Sequence, residues 1–559
     1  MESAHAFEKR YDENINSIKM DLERNHCIKH SKNIRNFIFS RRNFDSCQFN
    51  TNKNDFGKNK FEETFNTDLI NNNISEVISI FGKIHQNGTI SLNKIEINKI
   101  KSLLLDYLKQ IRKELIKENI SIIQAKNIFI SNNTKIFCEL LINPINDTFD
   151  PFIQLESLWI INNIIFLVAK FKDIILFDVS DITKLLIDYL ISICKNQKND
   201  GVKYTLVEKI LRIFGNLLFI NNNFLKLLID YEIIPFIIGS LHSSITSFRS
   251  TCLWIINKII LIIKKLGNND LISYFTTRTA ISNYKLILSR AQNQNSLDEI
   301  SELFWIFNEL VKYNSTILIP IFFMDNNNTN NGVVNLNKEY IINKFQFILD
   351  NFVTNKMLQP CFRLISNLLV ICYKDIKDEE LLSKLIENLF SKQAIFQFIN
   401  EFMLSDNNKF DISLIEDILL LIFNLVSLSP DKSSIFFKNG IIKLITSSQY
   451  QNIIKIMKLL LLIYYKILKN NSFNFEPNDE NVIKFCLCLM EGFKDDNSIL
   501  LIFIDIFYFY LKTSNIPIEG NIENELNIFI NTNENIPNNN LLSLLVNLSN
   551  FIKMKFSSI

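Results

Sequence analysis

The chain has 559 residues, and its 60 Lys and Arg nearly balance its 58 Asp and Glu, which leaves a net charge of +2. A charge this small does not favour nucleic acid or an anionic membrane as the partner. Only 11 glycines and 9 prolines are present. Sheet turns and phosphate-binding loops depend on these residues, so the composition predicts a helical protein without the usual nucleotide-binding motifs.

Residues 1–60 differ from the rest of the chain because they are polar and basic. Seven Lys and Arg lie between Lys19 and Arg42, against only Asp21 and Glu23. Residues 50–60 are rich in Asn and Lys and are typical of a linker. The sequence therefore predicts a basic N-terminal arm and linker over residues 1–60, followed by a second region over residues 61–559.

Residues 61–559 alternate apolar stretches with short polar breaks. Within the stretches, apolar residues recur at helical spacing, as between Leu103 and Ile111. No apolar run approaches the ~20 residues that a bilayer requires. Scattered cysteines and the lack of an apolar N-terminal stretch favour a soluble intracellular protein. A long succession of helices, without a region of a different sequence pattern, predicts a helical solenoid.

Chemistry-bearing motifs are scarce. The chain has five histidines, no Cys/His site and no glycine loop, so an enzyme is disfavoured, and neither a cofactor nor a metal is expected. The acidic run Asp378–Glu380 is typical of a helix start rather than of a catalytic pair.

Six similar windows recur along the region, and three of them hold all three tryptophans. The tryptophan windows are Leu158–Asn163, Leu253–Lys258 and Phe304–Glu309. The windows that keep Asn without Trp are Arg212–Asn216, Arg363–Asn367 and Leu420–Asn424. Armadillo and HEAT repeats have a period of ~40–47 residues, and the wider spacing here fits Asn-rich insertions between repeats.

Taken in order, these windows resemble the importin alpha family of armadillo-repeat adaptors for nuclear import. The segment Phe152–Asn163 is similar to the motif of the family's second repeat. The segment Leu211–Asn216 falls on the third repeat, Arg249–Asn257 on the fourth and Glu302–Glu309 on the fifth. The segment Pro360–Asn367 is similar to the sixth, where the family itself has Arg in place of Trp. The resemblance implies an all-α, right-handed armadillo-repeat solenoid with an N-terminal basic arm.

The resemblance also implies a concave groove that binds the basic nuclear localisation signals of cargo proteins. Indole rings would hold lysine stems, and side-chain amides would bind the peptide backbone. The residues implied at this site are Trp159, Asn163, Arg212, Asn216, Trp254, Asn257, Trp305, Arg363, Asn367 and Asn424. An importin-beta-binding arm is implied by Arg24, Lys29, Lys32, Arg35, Arg41 and Arg42. The implied partners are importin beta and cargo, with shuttling between cytoplasm and nucleus and without direct nucleic-acid binding or membrane insertion.

Several positions depart from the family pattern and keep a second hypothesis open. Arg212 stands where one Trp is expected, and Leu420 replaces another. Ile220 replaces the acidic residue that would hold the key lysine. Trp254 lies one residue late, with Leu253 in its place. An armadillo or HEAT-type scaffold that binds a different, less basic partner, without a transport role, is the alternative.

Overall fold

The computed structural model describes residues 66–87, 94–116, 121–129, 132–142, 151–170, 179–195, 201–220, 223–290, 297–314, 318–323, 358–391, 412–446, 453–469 and 502–507, with three isolated positions between 343 and 486. The regular elements in these ranges are all helices. The predicted basic arm and its six named residues lie outside the described residues. By its contacts the chain divides between Tyr313 and Asn314 into two compact units, which are described separately.

The unit that ends at Tyr313 consists of twelve described α-helices and one 3-10 helix. In chain order they are α1 (Thr67–Asn87), α2 (Lys94–Leu115), α3 (Ile122–Phe129), α4 (Asn132–Ile142), α5 (Pro151–Lys170), α6 (Val179–Lys195), α7 (Gly201–Ile220), α8 (Phe224–Asp230), α9 (Ile233–Ser240), α10 (Thr246–Leu266), the 3-10 helix Asn269–Thr276, α11 (Arg278–Arg290) and α12 (Leu297–Leu310).

The order in which these helices pack is that of a repeat array. Helices α2, α5, α7, α10 and α12 each contact the next in the series, and we call them the N-terminal row. Helices α1, α4 and α6 form a parallel succession against this row, and α9 and α11 do the same further along. A two-layer stack in which each helix contacts its counterpart in the next repeat is an armadillo-type solenoid, so the predicted fold class is confirmed.

The second unit has the same kind of packing within itself. Its described helices are α13 (Leu358–Ile371), α14 (Glu379–Ser391), α15 (Ile412–Leu428), α16 (Pro430–Thr446) and α17 (Ile454–Leu468), with short π-helices at Ile319–Phe323 and Cys372–Ile376. Helix α15 lies between α13 and α17, and we call these three the C-terminal row. Helices α14 and α16 pack beside α13 and α15, respectively.

Local sequence signals explain where several helices begin and end. Before α3, the Gln124 N–H donates to the Ser121 hydroxyl, and the Ser121 N–H donates to the Gln124 side-chain oxygen, which makes a capping box. Before α14, the Asp378 carboxylate accepts a hydrogen bond from the Leu381 N–H at 3.0 Å, so the helix-start interpretation of this acid is confirmed. Helix α10 ends at Gly267, whose φ of 71° suits a residue without a side chain.

Helix α10 is a largely buried helix of the N-terminal row. By length and composition it could cross a membrane, but 78% of its most apolar window is buried inside the protein. Its neighbours on the row, α7 and α12, cover it on both sides. Within the described residues α10 is therefore a core helix. An apolar sequence suits a buried helix as well as a membrane-spanning one.

The described cysteines behave as small apolar side chains. Cys138, Cys252, Cys361, Cys372 and Cys486 are buried, whereas Cys194 is exposed. Burial raises the pKa of the Cys138 thiol to about 12, which keeps it protonated and unreactive at neutral pH. Burial likewise raises the pKa of the Cys252, Cys361 and Cys486 thiols. These side chains contribute to the core rather than to chemistry.

Candidate peptide-binding face

The residues that the resemblance assigned to a peptide groove all lie on the two helix rows. Trp159 and Asn163 are on α5, Arg212 and Asn216 on α7, Trp254 and Asn257 on α10, Trp305 on α12, Arg363 and Asn367 on α13, and Asn424 on α15. Their surroundings nevertheless differ strongly from one helix to the next.

Trp159 is half-buried and is the tryptophan that best fits the prediction of an accessible indole. Two of the protein's own cations already lie against it. The Nζ atom of Lys209, on α7, is 3.6 Å from the centroid of the ring, and the Cζ atom of Arg112, on α2, is 5.7 Å from it. Both distances are within the range of cation–π attraction. The position that a cargo lysine would take over this ring is therefore occupied by Lys209.

Lys209 is an unusual lysine because only 8% of its surface is exposed. Burial lowers the pKa of its ammonium group to about 7, and the nearby positive charge of Arg212 acts in the same direction. The carboxylate of Glu208 partly opposes this shift. Among the described residues, the contact found for its Nζ atom is the one with the Trp159 ring.

The carboxylates near Lys209 are engaged elsewhere. Glu156 forms an ion pair with Arg112 at 2.7 Å, which joins α5 to α2. Glu208 accepts a hydrogen bond from Arg212 at 2.6 Å. Glu208 also accepts hydrogen bonds from two hydroxyls of α10, those of Ser247 and Thr251. The three cations and two carboxylates of this cluster leave one surplus positive charge when Lys209 is protonated.

Two of the predicted asparagines hold adjacent row helices together. The amide of Asn216 on α7 donates to the side-chain oxygen of Asn162 on α5 at 3.0 Å. In the other unit, the amide of Asn424 on α15 donates to the hydroxyl of Ser366 on α13. In both pairs the acceptor lies one residue before the motif Asn of the preceding helix, which is Asn163 or Asn367. These amides therefore join repeats, a role that the resemblance did not imply.

The expectation for Trp254 is corrected, because only 2% of this residue is exposed. Its indole lies directly over Gly215 of α7, and a Cβ atom at Gly215 would overlap its ring carbons. Lys258, one turn further along α10, places its Nζ atom 4.3 Å from the Phe219 ring and 5.7 Å from the Trp254 ring. Trp254 is thus a core residue, and a bound peptide cannot reach it in this structure.

Asn257 is also corrected from a peptide contact to a buried link between helices. Its exposed fraction is 1%, and its amide donates to the Glu302 carboxylate of α12 at 3.4 Å. On the same helix, the guanidinium of Arg249 makes a bidentate pair with Glu299 of α12. At the step from α10 to α12, Arg249 and Asn257 therefore both bond to the next row helix.

Arg363 follows the same rule in the C-terminal row. It is buried, and its guanidinium donates to the Asp417 carboxylate of α15 at 2.7 and 2.9 Å. Arg363 therefore pairs with the next row helix instead of lining a surface, and the expectation for it is corrected. Asn367 and Trp305 are half-buried, and their roles in ligand binding stay predictions.

Sequence reasoning missed the charged residues that shape the face around Trp159, namely Arg112, Glu156, Glu208 and Lys209. These residues lie outside the repeat motif. A usable signal was present at one of them, because Lys209 and Asn216 are seven residues apart in the sequence and therefore share one face of α7.

Comparisons with known proteins give the following result. No protein-family model matches the chain, and no curated protein sequence matches it. Among solved structures, an engineered protein is 10% identical, with a TM-score of 0.49 over 86% of this chain and 99% of that chain. SYS-1 in complex with POP-1 is 12% identical, with a TM-score of 0.41 over 87% and 85% of the two chains. A designed armadillo repeat protein in complex with a (KR)4 peptide is 13% identical, with a TM-score of 0.30 over 50% and 99%. At these values the likenesses carry no argument about what this chain binds.

Proposed function

We propose that the protein is a helical-repeat scaffold that binds a segment of a partner protein along the N-terminal row, and that a basic localisation signal is not its ligand. The observation that carries this proposal is the lysine over Trp159. The one tryptophan of the expected groove that has both an accessible ring and an Asn four residues on is already covered by the protein's own cation.

The remaining groups of the row support the same conclusion. A protein that binds basic peptides needs free carboxylates and amides that face the ligand. Here Glu156 and Glu208 are held by Arg112 and Arg212, and Asn216 is bound to Asn162. When Lys209 is protonated, a basic peptide would meet one surplus positive charge at this step, which disfavours its binding.

Half-buried aromatic side chains are what such a scaffold would offer a partner. Trp159 and Trp305 each keep part of their surface in contact with solvent. Tryptophan is enriched at the energetically important positions of protein interfaces, where its large area is buried by the partner. A stack of row helices also suits an extended or helical segment, because successive repeats present similar positions at regular intervals.

Nuclear import is the second candidate, and the ordered series of motifs favours it. As an adaptor, the protein would bind a cargo lysine between indole rings and bind importin beta through residues 1–45. The cargo lysine would first have to displace Lys209 from Trp159. We expect that deleting residues 1–45 would abolish importin-beta binding if this function is present, and would leave the helical circular dichroism signal intact. Binding that survives the deletion would contradict the adaptor hypothesis.

The direct test is selection of ligands from a phage library of random twelve-residue peptides against the full-length protein. Selected peptides are then labelled and titrated by fluorescence anisotropy at about 0.15 M salt, where exposed charges are screened over ~8 Å. A lysine-rich signal peptide is titrated in parallel. The proposal expects selected peptides whose affinity falls tenfold or more with Trp159→Ala, and no binding of the lysine-rich peptide at 100 µM.

The matched control is Tyr373→Ala, which removes an exposed aromatic side chain of the other unit. Its affinities should equal those of the wild type. Peptides that bind Trp159→Ala and Trp305→Ala as well as the wild type would contradict the proposed face. Micromolar binding of the lysine-rich peptide would instead restore the adaptor function.

A further inference from the structure

The lysine that covers Trp159 lies just beneath the surface of the protein. Lys209 itself is 8% exposed. The side chains of Arg112 and Arg212 beside it are 26% and 25% exposed, and Trp159 is half-buried. A lysine carries its charge on a flexible four-carbon stem, which can lie along an apolar surface while the ammonium group reaches water. Lys209 therefore has two positions within reach, one over the ring and one in solvent.

The charges around Lys209 are balanced without it. Arg112 of α2 pairs with Glu156 of α5 at 2.7 Å, and Arg212 pairs with Glu208 at 2.6 Å within α7. These four groups are the charges that act on the Lys209 ammonium, and none of the charged residues that the structure describes on α6, α8 or α10 is among them. The cluster is thus neutral when Lys209 is neutral, and protonation of Lys209 adds one positive charge.

This added charge is more favourably placed in water than over the ring. Burial favours the neutral form of Lys209, and the charge of Arg212 acts in the same direction, so the pKa of the amine falls to about 7. Attraction between the ammonium group and the Trp159 indole opposes this effect. That attraction is smaller than the cost of keeping an ammonium group away from water when the nearby carboxylates are already paired with arginines.

We propose that Lys209 is a pH-sensitive cover over Trp159, in which the neutral amine lies on the ring and the protonated ammonium group moves into solvent and uncovers the indole. A partner that buries Trp159 would then bind more tightly at mildly acidic pH than at mildly alkaline pH. This effect on a partner rests on the proposed function. The movement of Lys209 does not, because it changes the exposure of Trp159 whether or not a partner is bound.

The test is acrylamide quenching of Trp159 fluorescence in the full-length variant Trp254→Phe/Trp305→Phe, from about pH 6 to about pH 9, which spans the pKa of about 7. The measurement is repeated with Lys209→Met, which is never charged, and with Lys209→Arg, which stays charged throughout. The variant Trp159→Phe/Trp305→Phe, in which Trp254 is the fluorescent residue, controls for titration elsewhere in the protein. Circular dichroism spectra at each pH establish that every variant is folded.

The inference expects the quenching constant of Trp159 to rise about twofold or more as the pH falls, in one transition centred near pH 7. The constants of Lys209→Met, Lys209→Arg and the Trp254 control should not change with pH. A Trp159 constant that stays level or falls toward acidic pH would overturn the cover while the scaffold function stands, and so would the same transition in Lys209→Met. If the selection yields no Trp159-dependent peptide, the scaffold function fails, and quenching still decides whether Lys209 covers the ring.

Discussion

Two stretches of the N-terminal row have the same five residues, Leu-Trp-Ile-Ile-Asn, and yet their tryptophans have different surroundings. In α5 the indole of Trp159 is half-buried, with Arg112 and Lys209 beside it. In α10 the indole of Trp254 is buried against Gly215. The preceding row helix offers a long arginine to the first ring and a residue without a side chain to the second. The neighbouring helix, rather than the motif, decides whether the tryptophan is surface or core.

The polar groups differ between the two steps in the same way. Around α10, Arg249 is paired with Glu299, and Asn257 reaches Glu302. Around α5, the Lys209 ammonium lies over the Trp159 ring, and Asn163 Nδ2 has no hydrogen-bond partner among the described residues. The α10 step is therefore joined to α12 by a buried ion pair and a hydrogen bond, whereas the α5 step holds a lysine against an indole ring. Four predictions test this contrast.

Replacing the two tryptophans by alanine should give the largest difference. Trp254→Ala removes a core side chain, and we expect a loss of ~3–5 kcal/mol in the free energy of unfolding. Trp159→Ala removes a half-buried ring and its cation–π contacts, which should cost ~1 kcal/mol. Urea unfolding followed by circular dichroism measures both. Equal losses would show that the two rings are equally buried.

The pair between Arg249 and Glu299 should be nearly as sensitive when only one partner is removed. Arg249→Met leaves a buried carboxylate without its partner, and such changes cost ~3–5 kcal/mol. The double variant Arg249→Met/Glu299→Leu should recover most of this loss. Lys384→Met is the control, because its pair with Glu380 is exposed and exposed pairs contribute ~0–1 kcal/mol. A double variant as unstable as the single one would contradict the pairing.

Gly215→Ala tests the close approach of α7 and α10. The new methyl group overlaps the Trp254 ring, so we expect a loss of ~1–3 kcal/mol from overpacking. The matched control is Gly82→Ala, which is exposed in the middle of α1 and meets nothing within 4 Å. Alanine is the better helix former, so the control should gain ~0.5–1 kcal/mol. Thermal unfolding of both variants gives the sign, and a Gly215→Ala protein as stable as the control would rule out the contact.

Lys209 should make the stability of the protein depend on pH. Its pKa is about 7 in the folded protein, below the 10.5 of a free lysine. Between these values the unfolded chain binds a proton that the folded chain does not, so stability rises with pH. The stability of the wild type relative to Lys209→Met should therefore increase from pH 7 to pH 10 and be flat below pH 6.

The wild type and Lys209→Met share every other titratable group, so the comparison isolates Lys209. Urea unfolding at each pH measures the difference. A difference that does not change with pH would mean that Lys209 stays fully protonated in the folded state.

Much of the architecture could be predicted from the sequence, because it depends on local patterns. Scarcity of glycine and proline and the helical spacing of apolar residues indicated the helices, and the recurring windows indicated the rows. The cap at Asp378 was also readable, since a carboxylate before a helix satisfies N–H groups a few residues away. These signals need no knowledge of distant contacts.

The site was predicted only in part, because its properties arise between helices. The sequence around Trp254 does not indicate that Gly215 will lie under its ring. Nothing near Trp159 shows that Lys209, in a different helix, will cover it. The asparagines at 216 and 424 match a peptide-binding motif in sequence, but each bonds to the preceding row helix. The sequence gives the residue types at the motif positions, whereas packing sets their partners.

The most direct test of the central claim is acrylamide quenching of tryptophan fluorescence in two single-tryptophan proteins. Trp159→Phe/Trp305→Phe leaves Trp254, and Trp254→Phe/Trp305→Phe leaves Trp159. Phenylalanine keeps an aromatic ring at each replaced position. The account predicts a quenching constant for Trp159 that is several times larger than that for Trp254. Equal constants for the two proteins would contradict the claim that one motif serves as surface in α5 and as core in α10.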